Sequence, residues 1–164
     1  IGANAGTAIS TGDNNVAIGY DSLKSLTTGE TNVAVGMPSL AVNTANNNVG
    51  VGYQALFDNT SGSENTSMGR GALSNNTTAS NNVAIGYASM NSNTTGTRNT
   101  VLGTQALQAN TTANNNTAIG YQSAYSNTTG VENVAIGRIS FYSNSTGQEN
   151  TYVGSASGYD NSTG

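Results

Sequence analysis

The side chains with which this chain could do chemistry are few, and most recur at regular intervals. There is no His, Cys or Trp, so a nucleophile would have to be a Ser activated by a carboxylate or by Lys24, the one lysine. The carboxylates, Asp13, Asp21, Glu30, Asp58, Glu64, Glu132, Glu149 and Asp160, fall singly at turn-like stretches, not in the pairs that acid–base chemistry uses. Calcium-binding solenoid repeats place an Asp in each coil after a glycine-rich turn, and no such run exists here. These residues point to no catalytic site, no metal site and no cofactor; the expectation is a non-enzyme.

Three other residue types recur. Asn59, Asn76, Asn93, Asn110, Asn127, Asn144 and Asn161 each open an Asn-x-Ser/Thr triplet, the acceptor for N-linked glycans in a secreted protein; as turn residues they need no such role. Paired threonines (Thr27-Thr28, Thr94-Thr95, Thr128-Thr129) raise ice binding, which needs outward Thr on a regular strand, but they sit beside Gly at an apparent turn. Tyr20, Tyr53, Tyr87 and Tyr121, with Tyr125 and Tyr142 later in their rows, offer rings that stack on sugars if exposed, or pack a corner or a subunit contact.

What would position these residues is a repeat. An aliphatic residue followed by Gly recurs at Gly2, Gly19, Gly36, Gly52, Gly69, Gly86, Gly103, Gly120, Gly137 and Gly154. Every interval is 17 residues except Gly36 to Gly52, which is 16 and places one deletion within residues 41–46. The chain reads as a single repeat domain over 1–164, a segment of a longer array with rows opening near 14, 31, 47, 64, 81, 98, 115, 132 and 149.

The rows align as columns. An Asn stands three residues before each aliphatic: Asn15, Asn32, Asn48, Asn65, Asn82, Asn99, Asn116, Asn133 and Asn150. Val or Thr, a small residue and an aliphatic then follow, a period-two pattern closed by Gly that predicts a short strand with one face inward. A small-then-large pair, Ser22-Leu23 or Ala72-Leu73, reads as a second inward-facing pair and a second strand. The row ends in "NTTG" or a relative of it, a turn.

An array with such columns predicts an all-β fold, a parallel β-solenoid (β-roll or β-helix) of ten 17-residue repeats, each coil about 4.8 Å above the last. Stacked Asn side chains would form an amide ladder. Gly19, Gly36, Gly52, Gly69, Gly86, Gly103, Gly120, Gly137 and Gly154 would allow a corner at φ values other residues avoid. Coil length stays open, because Tyr and the opening Asn alternate between rows: two rows in a 34-residue coil would stack Tyr on Tyr and set Arg98 between Glu64 and Glu132. Coil length also bears on glycans, since acceptor sites about 4.8 Å apart are too crowded for a branched sugar on each, whereas alternate sites would stand about 9.6 Å apart.

Composition narrows the partners. Hydrophobic residues make up 35% and charged residues 7%, with a net charge of −4 and four cations, Lys24, Arg70, Arg98 and Arg138. That is too little positive charge to track nucleic acid. No apolar run reaches the roughly 20 residues that span a bilayer, and no signal-peptide pattern opens the chain. At "NNVAIG", "ENVAIG" and "TNVAVG" the sequence resembles the head repeats of YadA-like trimeric autotransporter adhesins. The fuller "NNTAIGYQSAYSNTTG" resembles repeats of bacteriophage tail fibres and large bacterial surface proteins. The likeness covers the whole chain, although this repeat is longer than the adhesin-head repeat. It implies an elongated fibre segment, extracellular, on a cell surface or on a virion, that displays or spaces a binding function. Copies of the same chain, joined end to end or laterally, with a trimer among the possibilities, are the expected partners, and glycans or a host surface are further ones. The function expected first is a structural fibre segment, then an adhesin or tail-fibre module binding glycan or matrix, then an ice-binding solenoid.

Overall fold

A computed structural model describes residues 2–163; Ile1 and Gly164, the limits of the repeat domain read from the sequence, lie outside the described residues. Each row contributes one three-residue strand: β1 (Val16–Ile18), β2 (Val33–Val35), β3 (Val49–Val51), β4 (Thr66–Met68), β5 (Val83–Ile85), β6 (Thr100–Leu102), β7 (Thr117–Ile119), β8 (Val134–Ile136) and β9 (Thr151–Val153). All nine lie in one parallel sheet in chain order, and among the described residues there is no helix. The fold is a β-solenoid.

Register decides coil length. Val16 pairs with Val33, Thr66 with Val83 and Thr117 with Val134, so one row closes one coil and the 34-residue coil is set aside. Arg98 accordingly has Asn81 and Asn115 as its column neighbours, not Glu64 and Glu132. The short row is absorbed without a slip, Val33 pairing with Val49 across its 16 residues. The missing residue lies in the outer turn: Thr44 bonds Thr60 as Thr60 bonds Thr77, and Ala45, the counterpart of Gly62 and Ala79, follows Thr44 directly where other rows have a second Thr or Ser in between.

One reading is sharpened and one corrected. The strand's inner face is its middle residue: Ala34, Ala84, Val101, Ala118 and Ala135 are fully buried, whereas the flanking residues, such as Val16, Ile18 and Leu102, are outward. The interior leaves little room behind the strand, so the small residue goes in. The small–large pair is inward as read but is a turn, not a second strand. Leu23, Leu40, Leu56, Leu73, Met90, Leu107 and Phe141 adopt φ between 48° and 54°, in the left-handed region. That kink directs a residue inward immediately after its inward neighbour Ser22, Ser39 or Ala55, which a period-two strand cannot do.

The core is a stack of these columns, chiefly Leu23, Leu40, Leu56, Leu73, Met90, Leu107 and Phe141 against the inward Ala and Val101. Buried serines tie the turn to the strand behind it: Ser39 Oγ donates to the Gly50 carbonyl at 2.8 Å, and Ser123 Oγ to that of Ala135 at 2.7 Å. The corner after each strand requires glycine. Gly86 has φ 133°, and a Cβ there would lie 2.5 Å from the Gly103 carbonyl oxygen of the next coil.

Candidate functional site

The Asn column before the strand lies where the sequence puts it. Asn32, Asn48, Asn65, Asn82, Asn99, Asn116 and Asn133 are buried, and Asn15 and Asn150 are half-buried. The ladder carries more than amide-to-amide bonds. Asn82 Oδ1 accepts from the Asn99 backbone N–H (3.0 Å) and its side-chain amide (3.1 Å), while Asn82 Nδ2 donates to the Gly96 carbonyl (2.9 Å). Each rung thus satisfies backbone groups that the narrow coil would otherwise bury unpaired.

The triplet Asn column is placed differently from the glycan expectation. Asn59, Asn76, Asn93, Asn110, Asn127 and Asn144 are fully buried, and Asn161 is half-buried with its amide donating to Tyr152 Oη at 2.6 Å. The first four form a second interior ladder with Asn43: Asn59 donates to Asn43 Oδ1 (2.7 Å), Asn76 to Asn59 (2.8 Å), Asn93 to Asn76 (2.9 Å) and Asn110 to Asn93 (2.8 Å). The nitrogen that would carry a sugar is bonded inside the coil in these four rungs, so the six buried positions are corrected from a glycan line to core. The two ladders converge on one acceptor per coil. The Gly96 carbonyl accepts from Asn82 and from Asn93 (3.0 Å), and the Gly62 carbonyl from Asn48 and Asn59, both at 2.8 Å. The signal for this was in the sequence: the same column holds Ile9 and Leu26, and Leu26 is fully buried. A column that takes Leu in one row is an inward column.

Outside, the coil presents one face of the parallel sheet. Its first column mixes Val16, Val33, Val49, Val83 and Val134 with Thr66, Thr100, Thr117 and Thr151, and its second is aliphatic throughout. Past the glycine corner stand Tyr20, Tyr53, Tyr87 and Tyr121, between 43 and 50% exposed. Arg70 occupies the coil between Tyr53 and Tyr87, its guanidinium 5.7 Å and 5.8 Å from the two ring centroids. Tyr125, Tyr142 and Tyr159 form another stack, with centroids 5.1 Å apart at each step. Burial, and then the neighbouring tyrosines Tyr125, Tyr159 and Tyr121, push the Tyr142 phenol above its ordinary value of 10.0. The "NTT" threonines form a hydroxyl ladder of their own at the turn, Thr94 Oγ1 donating to the Thr111 carbonyl (3.0 Å) and Thr128 Oγ1 to that of Ser145 (3.0 Å).

Charge is sparse on this surface. Lys24 pairs with Asp21 at 3.1 Å. The Asn4 amide lowers the Asp21 carboxyl below its ordinary value against a smaller desolvation effect, and Lys24 adds further lowering. Among the described residues Arg70, Arg98 and Arg138 make no ion pair, no cluster of His, Cys, Asp or Glu could hold a metal, and no cavity opens. No helix is long and apolar enough to cross a membrane. Comparisons with protein-family models, curated proteins and solved structures return no match to this chain.

Proposed function

We propose that this chain is a rod-like structural segment of a fibre or filament, extracellular, on a cell surface or on a virion, that joins with copies of itself. The observation that carries this reading is the continuity of its ladders. Backbone bonds and the first Asn ladder run coil to coil in register, the 16-residue row does not interrupt them, and the second ladder adds amide-to-amide bonds from Asn43 to Asn110. Such an object transmits load along its axis through hydrogen bonds that join each coil to the next, and each repeat contacts only its neighbours. Small-angle scattering should return a rod roughly 45 Å long for one chain. Electron micrographs or aligned-fibre diffraction should show larger assemblies with an axial spacing near 4.8 Å. An isotropic particle that never associates at high concentration would sink the proposal.

A second reading, a binding module of the adhesin or tail-fibre kind, is favoured by the outward aliphatic and Tyr columns. Parallel sheets are usually covered on both faces, and this one leaves large apolar side chains exposed along its length. The isolated segment should then bind a surface saturably, which a bare spacer does not. For the ice-binding reading, the outward first column mixes Thr with Val, and measuring thermal hysteresis decides it.

A further inference from the structure

We propose that the tyrosine column is a binding track for a linear, carboxylate-bearing polysaccharide with β-1,4-linked rings; it goes beyond the rod reading and does not depend on self-assembly. Tyr20, Tyr53, Tyr87 and Tyr121 occupy alternate coils of one column, so their rings repeat about every 9.6 Å. A β-1,4-linked glycan advances by nearly one coil height per pyranose and turns over at each linkage. It therefore offers the same C–H face at every second ring, in step with the tyrosines. Ring-on-ring stacking of this kind needs an exposed aromatic held still, and each of these four is about half exposed beside a fixed glycine corner.

The intervening coils indicate the charge of the ligand. Arg70 is clamped between Tyr53 and Tyr87, which holds its guanidinium in place and leaves it without a carboxylate partner among the described residues. Arg138 follows Tyr121 by one coil in the same column. From the first strand column to the tyrosine column, these two arginines are the sole charges, on a chain whose net charge is −4. A track that is cationic on an otherwise acidic protein complements an acidic polymer. A guanidinium held between stacking positions suits the carboxylate of a uronic acid ring, which accepts two parallel N–H bonds.

The test is calorimetric titration of the folded chain with β-1,4-linked mannuronate oligomers of two to eight rings, with neutral mannose oligomers of the same linkage alongside. Affinity for the uronates should rise with length up to about six or seven rings, the distance from Tyr20 to Tyr121 in coils. Arg70→Gln should weaken it about tenfold, the loss expected of one charge-assisted contact. Tyr87→Leu should weaken it comparably, and Arg98→Gln, a cation lost from a different column, should leave it unchanged. The proposal is overturned by neutral oligomers binding as tightly as the uronates, by Arg98→Gln weakening binding as much as Arg70→Gln, or by no binding of the longest uronate. Circular dichroism of each variant confirms that the coil is intact.

Discussion

Besides the glycine corner, most coils hold the backbone in the left-handed region at three positions, the Pro38 coil at two, and the cost falls unevenly on the residues that occupy them. In the column just before the first Asn ladder, Asn14 and Asn47 (both φ 59°) flank Thr31 (φ 58°), an exposed β-branched residue for which that conformation is most strained. Thr31→Asn should therefore stabilise the protein by roughly 1 kcal/mol in denaturant unfolding, and no change or a loss would show that the strain is relieved elsewhere. Removing a rung should act in the opposite sense. Asn82→Ala takes the acceptor from the Asn99 N–H and a donor from the Gly96 carbonyl, both in a dry interior, and should cost roughly 2–5 kcal/mol. The first ladder was legible from residue identity alone, because an Asn fixed in nine rows is hard to explain as a turn. The second was not, because its Asn is followed by Thr-Thr-Gly and turn chemistry accounts for it equally well; the Leu26 in its column was the overlooked sign.

At the scale of the coil, the strand's period was legible but its polarity was not. Large aliphatics alternating with a small residue fit either orientation, and only the tightness of the interior selects the small one for the inside. The two-row alternation in the sequence, which admitted a longer coil, is instead a rule of stacking. Arg70 fits between Tyr53 and Tyr87, and the carbonyl that both ladders share belongs to Ala45, Gly62, Ala79, Gly96, Ala113 and Gly130 in turn. A Cβ on Gly96 would run into the Ala113 carbonyl oxygen and Asn93 Oδ1. Gly96→Ala should thus lower the thermal midpoint markedly, while Ala79→Gly, which only loosens the chain, should cost about 1 kcal/mol or less. Leu73→Ala empties one step of the aliphatic stack and should cost about 2–5 kcal/mol. The Tyr125–Tyr142–Tyr159 stack makes a spectroscopic prediction. The fold favours the neutral Tyr142 phenol, so its contribution is present below the ordinary tyrosine range and is lost as pH rises through the raised value. Ultraviolet titration should show the Tyr142 phenol ionising above its ordinary value, and Tyr125→Leu should bring it down.

For the whole molecule, the sequence yields the axis and the number of rows, since 17-residue columns admit few folds, while coil length came only from strand register. Because every coil meets its neighbours through the same columns, stability should scale with row number. Deleting residues 82–98 should shorten the rod by about 4.8 Å and leave the per-residue circular dichroism unchanged. Single deletions should depend on where they fall. Loss of Thr78, the exposed turn position that the short row lacks, should be tolerated, whereas loss of Ala84 flips the register of its strand and should not be. The interchangeable contact between coils also bears on how such a gene changes over generations. Near-identical rows invite unequal crossing-over, and any product that keeps whole rows rebuilds the same interface at the new junction. Rod length can then drift by whole coils between strains with little penalty to folding, a ruler whose markings are recombination steps.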